Sequence, residues 1–305
     1  MINQLFPYPE IREQQQTAID FIKEIFKEQN KKFCVIEAGT GVGKSAVGLY
    51  AANFLEVLPC EKEPGAYFLT TQKILQDQYV EDFSSGQNML SLKSSSNYSC
   101  KYYKGSTCGE SLRLLKTANK ESKFWKSCAY NCVYKKEKER FIDGKKGVTN
   151  FSYFLSETVY AGKLKPRNLL VIDEAHNVAE ELSKFIEVTI SERFCKSQKI
   201  NFPNQLTPAA SFKWVNEVYY PHIRNRLKHM ESFLEKTPGL KEKLKELQNV
   251  SRNYDLLDKH VCKVKRFIDR YEKDNWIFNK IKNTFIIDSY GIIFTHLYLF
   301  YKPSV

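Results

Sequence analysis

Two short segments contain residues whose types and spacing can handle a nucleoside triphosphate. Residues 38–45 read AGTGVGKS, and residues 169–176 read LLVIDEAH. In the first, Gly39, Gly41 and Gly43 let the backbone turn tightly and present N–H groups to phosphate oxygens, at the positive end of the helix that follows. Ala38, Thr40 and Val42 complete the loop; Lys44 would reach the β- and γ-phosphates and Ser45 would hold Mg²⁺ through its hydroxyl. In the second, Asp173 would hold Mg²⁺ and Glu174 would orient and deprotonate the attacking water. A structural glycine turn would leave the GKS order unexplained, and an acidic strand end would not require the first motif. Together, with His176 two residues after Glu174, they point to an ATP-driven motor coupled to a nucleic-acid strand.

Four cysteines fall between the two motifs. Cys100, Cys108, Cys128 and Cys132 form C-x7-C-x19-C-x3-C, enough thiolates for one tetrahedral ion or one cubane cluster. Spacing alone leaves zinc, iron–sulfur and four independent thiols open. The other cysteines, Cys34, Cys60, Cys195 and Cys262, are scattered, and Cys34 in FCVIE reads as a buried, inert thiol. Around the cluster lie Lys101, Tyr102, Tyr103, Lys104, Phe124, Trp125 and Lys126, a mixture suited to stacking bases and neutralising phosphates. The plainer alternative makes Phe124 and Trp125 a small core for the insert.

The elements that must position these residues follow from periodicity. Ile11, Gln15, Ala18, Ile19, Ile22 and Phe26 recur at helical spacing, and residues 33–37 predict a short buried strand leading into the glycine loop. A helix over 45–58, a strand over 66–70 and a helix over 72–83 follow, the last with Ile74, Leu75 and Tyr79 on its apolar face. Residues 169–173 predict a central parallel strand ending in acid. The expected core is a doubly wound α/β lobe. The polar stretch 84–99 reads as an exit from it, and VTNFSYFL as the return. Later, Ile223, Leu227, Met230 and Leu234, a break at Pro238-Gly239, and Leu240 through Tyr271 predict a long helical hairpin.

Composition sets the outer bounds. The 305 residues are 42% apolar, which is enough for a real core in two domains or one domain with insertions. Neither a signal peptide nor a membrane-spanning run occurs, so an intracellular protein without a membrane partner is expected. The net charge is +12, and residues 93–146 hold 14 Lys/Arg against 5 Asp/Glu, which predicts a local basic surface for a polyanion.

The motifs resemble those of the XPD/DinG branch of superfamily 2 iron–sulfur DNA helicases. EAGTGVGKS is similar to its Walker A loop, IDEAH to its DEAH box, Arg12 and Gln15 to its adenine-side R-x-x-Q, and TTQKILQDQ to the motif that touches the DNA backbone. SSSNYSC and VTNFSYFL resemble the flanks of its cluster domain. The resemblance covers about residues 6–180 by motif. It implies a P-loop RecA-like parallel-sheet lobe (1–92 and 148–182), an inserted small iron–sulfur domain (93–147), a mainly helical arch-like domain (183–285) and a C-terminal return segment (286–305). It also implies ATP, Mg²⁺ and a 4Fe-4S cluster held by the four cysteines, and 5′ to 3′ unwinding of single-stranded or forked DNA. Contacts to DNA are expected at Thr71, Tyr98, Lys101, Tyr102, Lys104 and Trp125. The second RecA-like lobe, with its arginine, is expected to be absent from this chain, which is then either one half of a split pair whose second chain supplies that lobe or a truncated product with little activity alone. The competing class is a non-enzymatic nucleotide- and DNA-binding module; an RNA motor is a third.

Overall fold

The structure, a computed structural model, describes residues 5–59, 63–115, 118–203, 207–236, 244–272, 276–281 and 284–289. The chain divides into two compact units, Met1–Ser94 with Tyr134–His176, and Ser95–Val133 with Asn177–Val305. Cys60, Pro238, Gly239 and Leu240 lie outside the described residues, as does the chain from 290 onward.

The first unit is a parallel α/β layer. Strands β1 (Ala66–Thr70), β2 (Met89–Ser91), β3 (Lys146–Asn150) and β4 (Leu169–Ile172) align in the order β2-β3-β1-β4, all pairs parallel. Every residue of β1 is buried, as an apolar strand flanked on both sides requires. Helices Glu13–Lys23, Lys44–Val57 and Lys73–Gln87 cover the sheet, and Ile19, Leu49, Tyr50, Phe68, Tyr79 and Val148 meet in the core. At Gly147 of β3 an added Cβ would stand 2.5 Å from the Phe141 ring, so only glycine lets helix Val133–Asp143 pack this close.

Arg167 locks β4 against β1. Its guanidinium lies 3.9 Å from the Tyr67 ring centroid and donates to the Ala66 and Phe141 carbonyls, each at 2.9 Å, and to that of Gly144. Asn168 adds a bond from its amide to the Leu55 carbonyl and accepts from Gly65 N–H.

Several expectations are corrected here. Residues 33–37 form no strand: Phe33 is 71% and Val35 82% exposed, and Cys34 is half-buried rather than buried. An extended apolar run becomes a strand only against a ladder edge, and β4 pairs with β1 alone among the described strands. For the same reason β4 is an edge strand here, half-buried after Leu169, not a central one. The 84–99 stretch does not simply leave the core, because the helix runs to Gln87, Asn88 closes it in the left-handed conformation, and β2 joins the sheet. Ile74, placed on the apolar face by periodicity, is 67% exposed.

The second unit joins the cysteine-bearing segment to the C-terminal region. Helices Tyr220–Lys236 and Leu244–Asp269 pair lengthwise, as the hairpin pattern predicts, burying Ile223, Leu234, Leu247, Leu257, Val261 and Val264. Sequence periodicity missed a three-stranded antiparallel sheet of β5 (Val188–Ser191), β6 (Trp276–Ile281) and β7 (Thr284–Ser289), in the order β5-β7-β6. Its inner residues Val188, Ile190, Phe285 and Ile287 pack with Tyr219, Phe267 and Trp276. The first residues of the expected return segment, 286–289, therefore complete β7.

Candidate functional site

Lys44 opens the helix Lys44–Val57, whose cap Gly43 has φ 87°, with Gly41 at φ 84°. Both values lie where a side chain is strained, so the alternating glycines are required by the turn itself. The N-terminal helix clasps this loop. Arg12 donates through Nη1 to the Gly41 carbonyl at 3.0 Å, and Gln15 through Nε2 to the Val42 carbonyl at 2.8 Å. Gln15 Oε1 in turn accepts from the Arg12 N–H at 3.0 Å, capping its own helix. A Cβ on Gly43 would meet Gln15 Nε2 at 2.5 Å. The Lys44 amine donates to the carbonyls of Ala38 at 3.2 Å and Gly39 at 3.4 Å, contacts that a phosphate can replace with charged oxygens.

Strand β4 delivers the carboxylates. Asp173 N–H donates to the Leu69 carbonyl at 2.9 Å, extending the ladder one residue beyond β4, and its Oδ1 accepts from Glu174 N–H at 3.0 Å. Glu174 has φ 54°, a left-handed backbone for a residue with a side chain. Its carboxylate lies 3.3 Å from His176 Nδ1, and both side chains are exposed. Burial pushes the Asp173 carboxyl above the usual range and Glu174 adds to it, while its own bond from Glu174 N–H and the charge of Lys44 pull it back. Lys44 and Asp173 both belong to the first unit, so the fold brings the two motifs into one lobe.

Sequence reasoning placed Tyr79 in the core but missed its hydroxyl. The residue is buried, and burial together with the Asp173 charge raises its phenol, while a bond with the Ser45 side chain lowers it. A polar atom on an otherwise apolar helix face was the available signal. Gln76, one turn earlier, is fully buried with both amide atoms unpartnered among the described residues.

In the second unit Cys100, Cys108, Cys128 and Cys132 all line one small cavity, beside Tyr102. Cys108, Cys128 and Cys132 are buried and Cys100 is half-buried. Cys108 and Cys132 sulfurs stand 4.0 Å apart, and Tyr103 N–H donates to Cys100 Sγ at 3.3 Å. Among the described residues no group of three or more His, Cys, Asp or Glu is arranged to hold a single metal ion. A Ser99–Thr107 bridge and the capping box of helix Cys108–Leu114 hold the loop carrying Cys100 and Cys108. Arg113 pairs with Asp255 at 2.6 Å, seating this helix on Leu244–Asp269.

The remaining candidates separate by unit. Thr71 follows β1 in the first; Tyr98, Lys101, Tyr102, Lys104 and Trp125 belong to the second. Lys101, Lys104 and Tyr102 are exposed, Tyr98 and Trp125 half-buried. Phe124 is buried against Tyr102 and Tyr103 at ring separations of 5.4 and 4.9 Å, so the core alternative holds for it. The basic stretch is less concentrated than its sequence implies. Lys138 pairs with Glu157, and Lys145 and Lys146 with Glu56, all in the first unit.

A phosphate-cradling loop beside a strand-end carboxylate on a parallel sheet defines a P-loop nucleotide-binding lobe. A family profile described as "Type III restriction enzyme, res subunit" matches residues 8–203, and the chain belongs to this family of superfamily 2 helicase-type domains. The chain is 28% identical over 215 residues to a probable ATP-dependent helicase of Methanocaldococcus jannaschii, covering 62% of this chain and 32% of that one. The fold is similar to a solved XPD helicase with a TM-score of 0.51 at 17% identity, across 92% of this chain and 55% of that structure. The chain thus spans about a third of the curated relative and about half of the solved one. No helix among the described residues is long and apolar enough to cross a membrane.

Proposed function

We propose that this chain forms the nucleotide-binding lobe of an ATP-dependent DNA helicase of the XPD/DinG type, moving 5′ to 3′ on single-stranded or forked DNA. The observation that carries the reading is the left-handed glycine turn at Gly41 and Gly43 that opens the helix at Lys44, clasped by Arg12 and Gln15, in the same unit as the strand-end Asp173. In this reading the loop N–H groups and Lys44 neutralise the β- and γ-phosphates, and Arg12 and Gln15 hold the loop and border the adenine. Ser45 and Asp173 would hold Mg²⁺, which when bound would supply positive charge to the phosphate oxygens. Glu174, steered by its left-handed backbone and by His176, takes the proton of the attacking water. Phosphoryl transfer also needs a cation opposite Lys44, worth about 10³ to 10⁵ in rate. In this reading that cation comes from a second lobe.

In the same reading the four cysteines, which all line one cavity, would be the ligands of a 4Fe-4S cluster. Each thiolate of a cubane binds its own iron, so the Cys108 and Cys132 sulfurs, 4.0 Å apart here, would have to move apart to hold it. When bound, the cluster would cross-link the loop and helices of its segment.

The test is nucleotide binding by the purified chain with and without Mg²⁺, followed by ATPase with single-stranded DNA or RNA. Mg²⁺-dependent binding lost in Lys44→Ala, with DNA-selective stimulation once a second lobe is supplied, is expected. Binding indifferent to Lys44 would overturn the reading. For the cysteines, anaerobically purified protein should be coloured and contain iron; colourless, zinc-loaded protein would refute the cluster.

A further inference from the structure

A cationic cleft in the second unit lies outside every motif discussed above. The short helix Glu192–Ser197 ends at Gln198, and Lys199 follows in the left-handed conformation, φ 57°, before Ile200 returns to the core. Ile200 N–H to the Cys195 carbonyl at 2.9 Å and Ser197 Oγ to the Phe194 carbonyl at 2.7 Å hold this turn. Facing it, the helix Tyr220–Lys236 buries Ile223, half-buries Leu227, and turns His222, Asn225, Arg226 and His229 outward. These four recur at i, i+3, i+4 and i+7, which is one helical stripe about 10 Å long.

Turn and stripe enclose an open cleft of about 390 Å³ whose lining contains Lys199, Arg226, His222 and His229 and no carboxylate. None of these four side chains has a hydrogen-bonded or ion-paired partner among the described residues. Their neighbours differ: Lys196 pairs with Glu192 at 2.8 Å, and Lys265 with Asp269 at 2.6 Å. The unpaired Lys199 and Arg226 cations, with the imidazoles of His222 and His229 and the amides of Gln198 and Asn225 among them, form a donor surface for anionic oxygens. Its shape is a stripe open along its length rather than an enclosed pocket, which suits successive phosphates of a chain over one free anion.

We propose that this cleft binds the phosphodiester backbone of a single-stranded nucleic acid, forming an anchor on the helical unit separate from the cysteine-bearing segment. The inference rests on the nucleic-acid reading of the preceding section. Such contacts position a strand without reading its bases.

The experiment measures binding of a fluorescent oligothymidylate to the full chain across a salt series, with Lys199→Ala, Arg226→Ala and, as a control on the same helix, Lys228→Ala. Each cleft variant should weaken binding about fivefold at 0.1 M salt and reduce the log–log salt slope by about 0.7, whereas the control should not. In parallel, the imidazole resonances of His222 and His229 should shift with the oligonucleotide and not with equimolar inorganic phosphate. Wild-type chain that fails to bind the oligonucleotide refutes the nucleic-acid reading and the anchor with it. Firm wild-type binding that the cleft variants leave unchanged refutes the anchor alone. A histidine response to inorganic phosphate alone makes the cleft a small-anion site and also overturns the proposal.

Discussion

Gln15 Nε2 donates to the Val42 carbonyl at 2.8 Å, so the N-terminal helix holds the loop from which Lys44 projects. Gln15 is 5% exposed, and one amide both caps its helix and fastens the loop. Gln15→Ala should therefore weaken nucleotide binding by about 1 kcal/mol, roughly fivefold, with a smaller loss of melting temperature. Gly43→Ala should be worse, because its Cβ meets that amide and its φ of 87° strains any side chain. Equilibrium titration with a fluorescent ATP analogue checks both; an unchanged Gln15→Ala would show that the loop keeps its shape unaided.

Asp173 should trade stability for chemistry. Its carboxyl is raised above the unfolded value mainly by burial, so the unfolded chain ionises first as pH rises. Folding is thus penalised once pH exceeds the unfolded value, and the penalty is complete above the folded one. Asp173→Asn should raise the neutral-pH melting temperature of the free protein and abolish the Mg²⁺ dependence of nucleotide binding. A lowered melting temperature would contradict the assignment of burial as the dominant cause.

The Tyr79 hydroxyl bonds to the Ser45 side chain. Tyr79→Phe keeps the buried ring and frees the Ser45 hydroxyl from its orienting partner. The half-saturating Mg²⁺ concentration for nucleotide binding is expected to rise about fivefold, equivalent to one hydrogen bond of about 1 kcal/mol. Nucleotide affinity without Mg²⁺ should stay the same. If both affinities fall together, Tyr79 supports packing and not the cation.

In the helical unit His260 accepts or donates a 2.7 Å bond with the Tyr219 hydroxyl, and burial, aided by the nearby Lys263 charge, lowers its pKa to about 4. The folded state then binds fewer protons than the unfolded one between about pH 6.5 and 4. Stability is complete above the unfolded value and is lost as pH falls through this window, by on the order of 1–3 kcal/mol. Circular dichroism melts from pH 7 to 4 should show this loss, and His260→Gln should flatten it. An equal slope in the variant would assign the loss to other groups.

Local chemistry alone determined much of this protein. The order of residues 38–45 demanded the glycine turn and the helix beginning at Lys44, and the apolar run 66–70 became β1 residue for residue. The heptad-like spacing after Ile223 produced the paired long helices. These features need only neighbours within a few turns, so they are written in the local pattern.

Tertiary structure decided what depends on a distant partner. Residues 33–37 have strand composition, yet no described ladder accepts them, and Val35 remains 82% exposed. The sheet of β5, β6 and β7 joins short segments almost a hundred residues apart, which no local period records. The charge of the 93–146 stretch looked local, but ion pairs with Glu56, Glu157 and Asp255 claim part of it. Conversely, the cleft at Lys199 and Arg226 gathers its charge from a turn and a helix that sequence left apart. Ladder edges, ion pairs and clefts are set by which surfaces meet in space, and only the folded chain specifies that.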